Sequence, residues 1–446
     1  MFRRFAISGA IAVLALSATA RTRPHYGGIL HVETAGEAWD RESGPARRLV
    51  YDGLTQLDAT GQTQPGLAVA WEADNNSHRW QFQLRQGVHF HDGSPLTSTT
   101  VVASLMAACT ARCPWTAVRP VGPLVVFTSE SPMPNLPALL AGDQFLITLT
   151  ATADGKTPGN SIGTGPFQVA GFNNGALTLT ANENCWSGRP FADAIEIRVH
   201  RPVREQWLDL TMGRADVVEV PAEMLRQAQQ AKLNLLISAP NTLLTLQVND
   251  AGALANVKVR SAIAAAVDRS ALYNVIFQKQ GAIAGSLLPQ QLSGYAFLFP
   301  ADRDLNKAAE LRGGLAAGPL TLSTTGDGAM QLAAQRIALN LHEAGFNVQV
   351  VNSVHADLML REFDIGSENP AAALEHVLRD AGGDTPVLAE SPSALYEAER
   401  IALEEKKLIP LLDLPRAFAF GPRVRDLRLG ADGVPDLPDA SLEDAR

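Results

Sequence analysis

Missing from the 446 residues is any block of lysine and arginine, any basic face interleaved with aromatic residues, and any long acidic run, although the net charge is −9. Without a basic footprint to neutralise a phosphate backbone, the sequence points away from nucleic acid as a partner. No apolar run reaches the roughly 20 residues that a helix needs to cross a bilayer. Also absent are a P-loop and the H-E-x-x-H pair, and "GTGPF" lacks the third glycine and the following helix of a dinucleotide fingerprint. No resident cofactor or metal is therefore expected. Cysteine is scarce, at three residues.

What is present begins with an export signal. Arg3 and Arg4 precede the short apolar stretch "FAISGAIAVLALS", and Ala18-Thr19-Ala20 supplies small residues for cleavage. Residues 1–20 thus read as a signal peptide, with a mature chain starting near Arg21 and exported to the periplasm. No cysteine lies near the cleavage site, so a lipid-anchored form is not expected. In an oxidising compartment Cys109 and Cys113, four apart in "ACTARCPW", could form a local disulfide or remain free thiols; Cys185 is the odd one.

The length exceeds what one hydrophobic core usually supports, so two or more lobes are expected. Residues 28–93 alternate short strands with turns at Gly61, Asn75-Asn76 and Asp92-Gly93, an antiparallel pattern. Thr97 then caps a helix with Val101, Val102 and Leu105 on its apolar face. From "NTLLTLQVN" onward the pattern changes. A long helix interrupted near Asp268, the strand "GPLTLSTT", an amphipathic helix ended by Gly345 and the strand "NVQVVN" describe a separate α/β lobe. The terminal "DGVPDLPDASLEDAR" reads as a solvated tail.

Three stretches suggest chemistry. "GNSIG" around Ser161 matches the nucleophile elbow of serine hydrolases, which needs a strand before the serine and a helix after it; Pro166 and a β-like run follow instead. His89 and His91 share a face of an extended segment with Asp92 next to them, and two imidazoles could ligate a transition metal if other ligands converged. Asp92-Gly93 is equally explained as a turn. No catalytic constellation emerges, and the chain is not expected to be an enzyme.

Several long stretches, "VYDGLTQLDATGQTQPGLAVAWEADNNSHRWQFQLRQGVHFHDGSPL", "GTGPFQVAGF", "NENCWSGRPFADAIEIRV", "MGRADVVEV" and "VKVRSAIAAAVDRSAL", together resemble the family 5 extracellular solute-binding proteins, the peptide- and nickel-type receptors of ABC importers. The resemblance runs from about residue 27 to about 434. It implies an α/β, bilobed Venus-flytrap fold with an additional β-rich subdomain in the first lobe. The first lobe would comprise 21–245 and 408–446, with the subdomain at about 50–160, and the second lobe 246–407. Such a protein, a monomer, would capture a short peptide or similar amine-containing solute between its lobes and deliver it to a membrane permease. A nickel or metal-chelate receptor, a secreted hydrolase using Ser161 and a ligand-sensing scaffold that has lost transport are the competing readings. Glu37 and Trp39 after the first strand, with Glu368 and Asn369 from the second lobe, are the candidate ligand contacts: carboxylates for an ammonium, an indole for a flat wall.

Overall fold

The computed structural model describes residues 25–36, 46–58, 61–109, 113, 115–149, 162–295, 298–314, 318–324, 328–365, 369–382, 391–430 and 433–443. One continuous sheet runs through both lobes. Its strand order is Val348–Val350, Leu320–Thr324, Leu358–Asp364, Asn234–Val248, Leu408–Phe420, Val217–Glu219, Ile29–Glu33, Ala194–Arg198, Ala176–Ala181 and Phe167–Asn173.

The two long central strands, Asn234–Val248 and Leu408–Phe420, belong to both lobes. Asn234 to Ile237 pair with Phe420 to Ala417 beside the first-lobe strands, and Thr242 to Gln247 pair with Leu414 to Leu408 beside the second-lobe strands. Between these halves the register shifts, and Pro240 stands opposite Pro415. Neither proline has an N–H to donate, so the ladder is thinnest where the chain crosses between lobes. Pro240 also explains why the sequence pattern suggests a strand only from Asn241: a proline reads as a breaker, whereas here it occupies the crossing point.

In the second lobe both sheet faces are covered, as parallel strands require. Leu244, Leu246, Leu322, Leu358 and Leu360 pack under the helix Ala329–Glu343, with Ala333, Ile337 and Leu341 on its inner face. Leu243 and Phe363 point the other way, into the core formed with Leu374, Val377 and Leu395. The helix read as interrupted near Asp268 ends at Ala266, and Asp268 caps a new turn by accepting the Ala271 N–H at 2.8 Å.

The first lobe carries the β-rich subdomain, a four-stranded antiparallel sheet ordered Ala68–Ala73, Arg79–Leu84, Leu124–Thr128, Ala117–Val121. Its core joins Phe82, Phe127 and Trp115 to Val101 and Leu105 of the helix Ser98–Ala108. Thr97 caps that helix in a reciprocal pair with Thr100. Beyond Leu408–Phe420 the expectation of a solvated tail fails. Leu437, Ala440 and Leu442 are buried against Leu30 and Ile195, and Ser441–Leu442 pairs with Val424–Arg425. Acidic residues and prolines dominate that segment's composition, but its three apolar side chains decide where it packs.

Candidate functional site

The strands Ile29–Glu33, Ala194–Arg198 and Val217–Glu219 run parallel in the first lobe, as do Leu320–Thr324, Val348–Val350 and Leu358–Asp364 in the second. Carboxyl ends of parallel strands are where open α/β sheets receive ligands, because the following loops and helix N-termini converge there. The polar residues at these ends are therefore the place to look.

On the first lobe, Glu33 ends its strand almost fully buried. Its carboxylate lies 3.6 Å from Arg198 Nη1 and 3.8 Å from Arg201 Nε. Burial, reinforced by the neighbouring Asp209, pushes its pKa up against the pull of the two arginines. Glu219 ends the adjacent strand and holds the start of the next loop, accepting from Thr34 Oγ1 at 2.9 Å and the Ala35 N–H at 3.0 Å.

On the second lobe, Glu362 and Asp364 project from the same face of their strand, two residues apart. Asp364 pairs with Arg416, whose backbone N–H donates to Ser238 Oγ at 2.9 Å beside the crossing. Thr242 lies opposite Asp364, and its buried hydroxyl has no hydrogen-bond partner among the described residues. Glu362 is exposed by surface area, yet its carboxyl is strongly desolvated. Desolvation first, then Asp364, with smaller contributions from Glu223 and Glu219, push the Glu362 pKa up to about 7 while Arg416 opposes them. Glu219 and Glu223 come from the first lobe, so carboxylates of both lobes act on one another. Such a negative cleft suits a cationic group on a solute, an ammonium or guanidinium.

The residues named from sequence fare unevenly. Glu37, Trp39, Ser161 and Glu368 lie outside the described residues. Asn369 is the N-cap of the helix Pro370–Asp380, its Oδ1 accepting from the Ala372 N–H at 3.0 Å. Cys109 and Cys113 are joined as a disulfide with their Cα atoms 5.5 Å apart, while Cys185 is free, its thiol pKa raised by burial. Sequence reasoning passed over Glu219, Glu223, Glu362 and Arg416. The signal available was an acidic residue closing each of the strand patterns "ADVVEV" and "LMLREFD".

Of the residues in the motifs that suggested chemistry, His91 has a structural role. His91 is bound at Nε2 to the Gly165 carbonyl oxygen, 3.0 Å away, and its backbone N–H donates to Gly163 O at 2.9 Å. His89 is exposed, and no group of three or more metal-ligating side chains occurs among the described residues. After "GNSIG" the chain enters the strand Phe167–Asn173, not the helix a nucleophile elbow needs. A separate open depression, lined by Asn256, Lys258 and Glu310 to Gly314, is built from helix ends and contains no strand terminus.

Residues 62–369 match the family model described as bacterial extracellular solute-binding proteins, family 5 Middle. The chain is 26% identical over 302 residues to the dipeptide-binding protein of Escherichia coli (strain K12), covering 59% of this chain and 56% of that one. It is 24% identical over 349 residues to the probable di/tripeptide-binding protein 5 of Pseudomonas aeruginosa (strain UCBPP-PA14), covering 67% and 66%. The matches thus span about half to two thirds of those relatives. Among solved structures, the oligopeptide-binding protein AppA from Bacillus subtilis, in complex with a nonapeptide, superposes with a TM-score of 0.81 at 17% identity, covering 95% of this chain and 100% of that one. NikA from Staphylococcus aureus, in complex with Ni(L-His)2, gives 0.79 at 15% identity, covering 93% and 100%. At these identities the two structures establish the bilobed fold alone. With its family-model match covering more than half of its length, the chain belongs to the family 5 bacterial extracellular solute-binding proteins.

Proposed function

We propose that the protein is the exported receptor of an ABC importer, capturing a short peptide or comparable amine-bearing solute between its lobes and presenting it to a membrane permease. The observation that carries this reading is the set of carboxylates Glu219, Glu362 and Asp364 at strand ends of the two lobes, with Glu223 on the turn after Val217–Glu219, opposed at Glu362 by the positive charge of Arg416. A ligand ammonium there would form charge-assisted hydrogen bonds in a partly desolvated setting. The two long strands supply the connection about which lobes can close, and closure would give the permease a shape to sense.

In this reading residues 1–20 are removed on export, and the mature protein works in the periplasm as a monomer without performing chemistry. The lobes comprise 21–245 with 408–446, and 246–407; Glu37 and Trp39, which follow the strand Ile29–Glu33 in the chain, and Glu368 and Asn369, which follow Leu358–Asp364, contribute further contacts. Sequence similarity to a dipeptide-binding protein and to a probable di/tripeptide-binding protein supports a peptide over a metal chelate, and the cleft's carboxylates fit a peptide amino terminus.

Thermal-shift measurements on the mature protein against di- and tripeptides, free amino acids and Ni(L-His)2 test the proposal. A peptide present at about 100 times its dissociation constant should stabilise the fold by about 2.7 kcal/mol. Stabilisation by the nickel complex with none by peptides would replace the peptide reading, and stabilisation by nothing would overturn the receptor reading.

A further inference from the structure

We infer that the core beneath the two long strands holds one small monovalent cation, sodium or potassium, bound by Asp413 Oδ1 of Leu408–Phe420 and Thr245 Oγ1 of Asn234–Val248. Both side chains lie on the sheet face opposite Glu362 and Asp364, because Phe363 between those two points into the same core as Leu243. The site is therefore tested without reference to any solute.

Strand register puts the two oxygens together. Leu243 stands opposite Asp413 in the antiparallel ladder and packs with Leu374, Val377 and Leu395. Opposite residues share a face and alternate residues return to it, so Asp413 and Thr245 enter that apolar core as diagonal neighbours. Pairing resumes past a register shift, with Thr245 opposite Pro410. Diagonal Cβ atoms stand about 7–8 Å apart, which leaves a gap that one bridging atom can fill. Thr245 is fully buried and Asp413 is 6% exposed, yet neither Thr245 Oγ1 nor Asp413 Oδ1 has a hydrogen-bond partner among the described residues. A buried hydroxyl and a buried carboxylate left unsatisfied in one core call for something between them.

Charge decides what that is. Glu399, fully buried on the helix Pro392–Glu404, faces the same core with both oxygens occupied, by the Leu287 and Leu288 N–H groups and by Tyr295 Oη. The strand Ala282–Ile283, which pairs with Asp413 and Leu412, leads within five residues to Leu287. No basic side chain acts on Asp413 or Glu399 among the described residues. Water would satisfy hydrogen bonds and leave a carboxylate charge uncompensated in an apolar setting, which is costly. Below about pH 7, to which burial and then Glu399 push the Asp413 pKa, a proton supplies the missing positive charge. Above it, a cation does. An all-oxygen donor set selects a hard ion, and one unpaired carboxylate oxygen with a hydroxyl is poor in charge for calcium, whose sites gather six to eight oxygens.

The test follows thermal melting of the ligand-free mature protein by circular dichroism at about pH 8. Sodium or potassium chloride replaces tetramethylammonium chloride at constant ionic strength, so screening is unchanged and only access to the oxygens differs. The melting temperature should rise with the logarithm of the sodium or potassium concentration, and the rise should shrink at about pH 5.5, where a proton takes the cation's place. Asp413→Asn has no charge to balance and should melt at one temperature in all three salts. Thr245→Val keeps the shape, loses the hydroxyl, and should need about tenfold more cation for the same rise. Equal melting of the parent in all three salts overturns the inference, as does a response to calcium but to neither alkali ion. So does a parent-like rise in Asp413→Asn or, if that variant does not fold, in Thr245→Val.

Discussion

The indole N–H of Trp186 donates to Asp52 Oδ2 at 2.8 Å, tying together residues 134 positions apart, and Thr164 Oγ1 donates to the same oxygen at 2.6 Å. The carboxyl so engaged lies deep in the first lobe, where burial raises its pKa against these two hydrogen bonds and the nearby His91. Truncating it leaves two donors without an acceptor. Asp52→Ala should cost about 2 to 4 kcal/mol in urea unfolding, and Asp52→Asn, which retains an acceptor oxygen, less than half of that.

The turn beside this cluster admits no side chain at Gly163. An added Cβ would meet the Val50 carbonyl oxygen at 1.9 Å, a backbone atom that cannot yield alone. Gly163→Ala should destabilise the first lobe by about 3 kcal/mol or more, read from the same denaturation curves. Gly175→Ala, whose Cβ would meet nothing within 4 Å, isolates the smaller effect of a positive φ, here 75°.

Asp413 lies on the long strand Leu408–Phe420, buried near Glu399, which accepts from the Leu287 and Leu288 N–H groups and from Tyr295 Oη. Asp413 Oδ1 has no hydrogen-bond partner among the described residues, and burial first, then the Glu399 charge, push its pKa up to about 7. Since the folded value exceeds the ordinary 3.8, the folded state holds the proton more tightly. Its stabilising contribution is full below about pH 4 and declines as pH rises to about 7, by an amount on the order of a few kcal/mol. Asp413→Asn should flatten that part of the stability profile and raise stability at about pH 8.

The cysteines make a counting prediction. Protein recovered from an oxidising compartment and alkylated under denaturing conditions without reductant should gain one adduct, at Cys185; after reduction it should gain three. Intact mass distinguishes the two. Because the Cys109–Cys113 loop is so short, reduction alone should lower stability by no more than about 2 kcal/mol.

Local signals in the sequence carry real structural content. Thr97 and Asp268 cap the helices that follow them, and Gly345, at φ 84, ends the helix Ala329–Glu343 as glycine after a last turn should. "FHDG" is legible as a strand entering a turn, although that His91 clasps the Gly165 carbonyl is a contact 74 residues away and leaves no local trace. The same limit hides the cleft. Glu219 and Glu362 are unremarkable charges at the ends of two short strands until folding puts them within reach of each other. The start of the strand at Asn234 and the packing of the last apolar residues are hidden in the sequence for another reason. Proline and acidic composition outweigh packing in a linear reading, whereas in the fold Pro240 sits at the lobe crossing and Leu442 fills the first core.

The central claim is that the acidic cleft captures a solute through its cationic group. Native mass spectrometry of the mature protein with a mixed pool of di- and tripeptides, beside the same pool after amino-terminal acetylation, tests it most directly. Retention of free peptides with at least tenfold weaker retention of acetylated ones, about 1.4 kcal/mol, is the predicted result. Equal retention of both pools, or of neither, would contradict it.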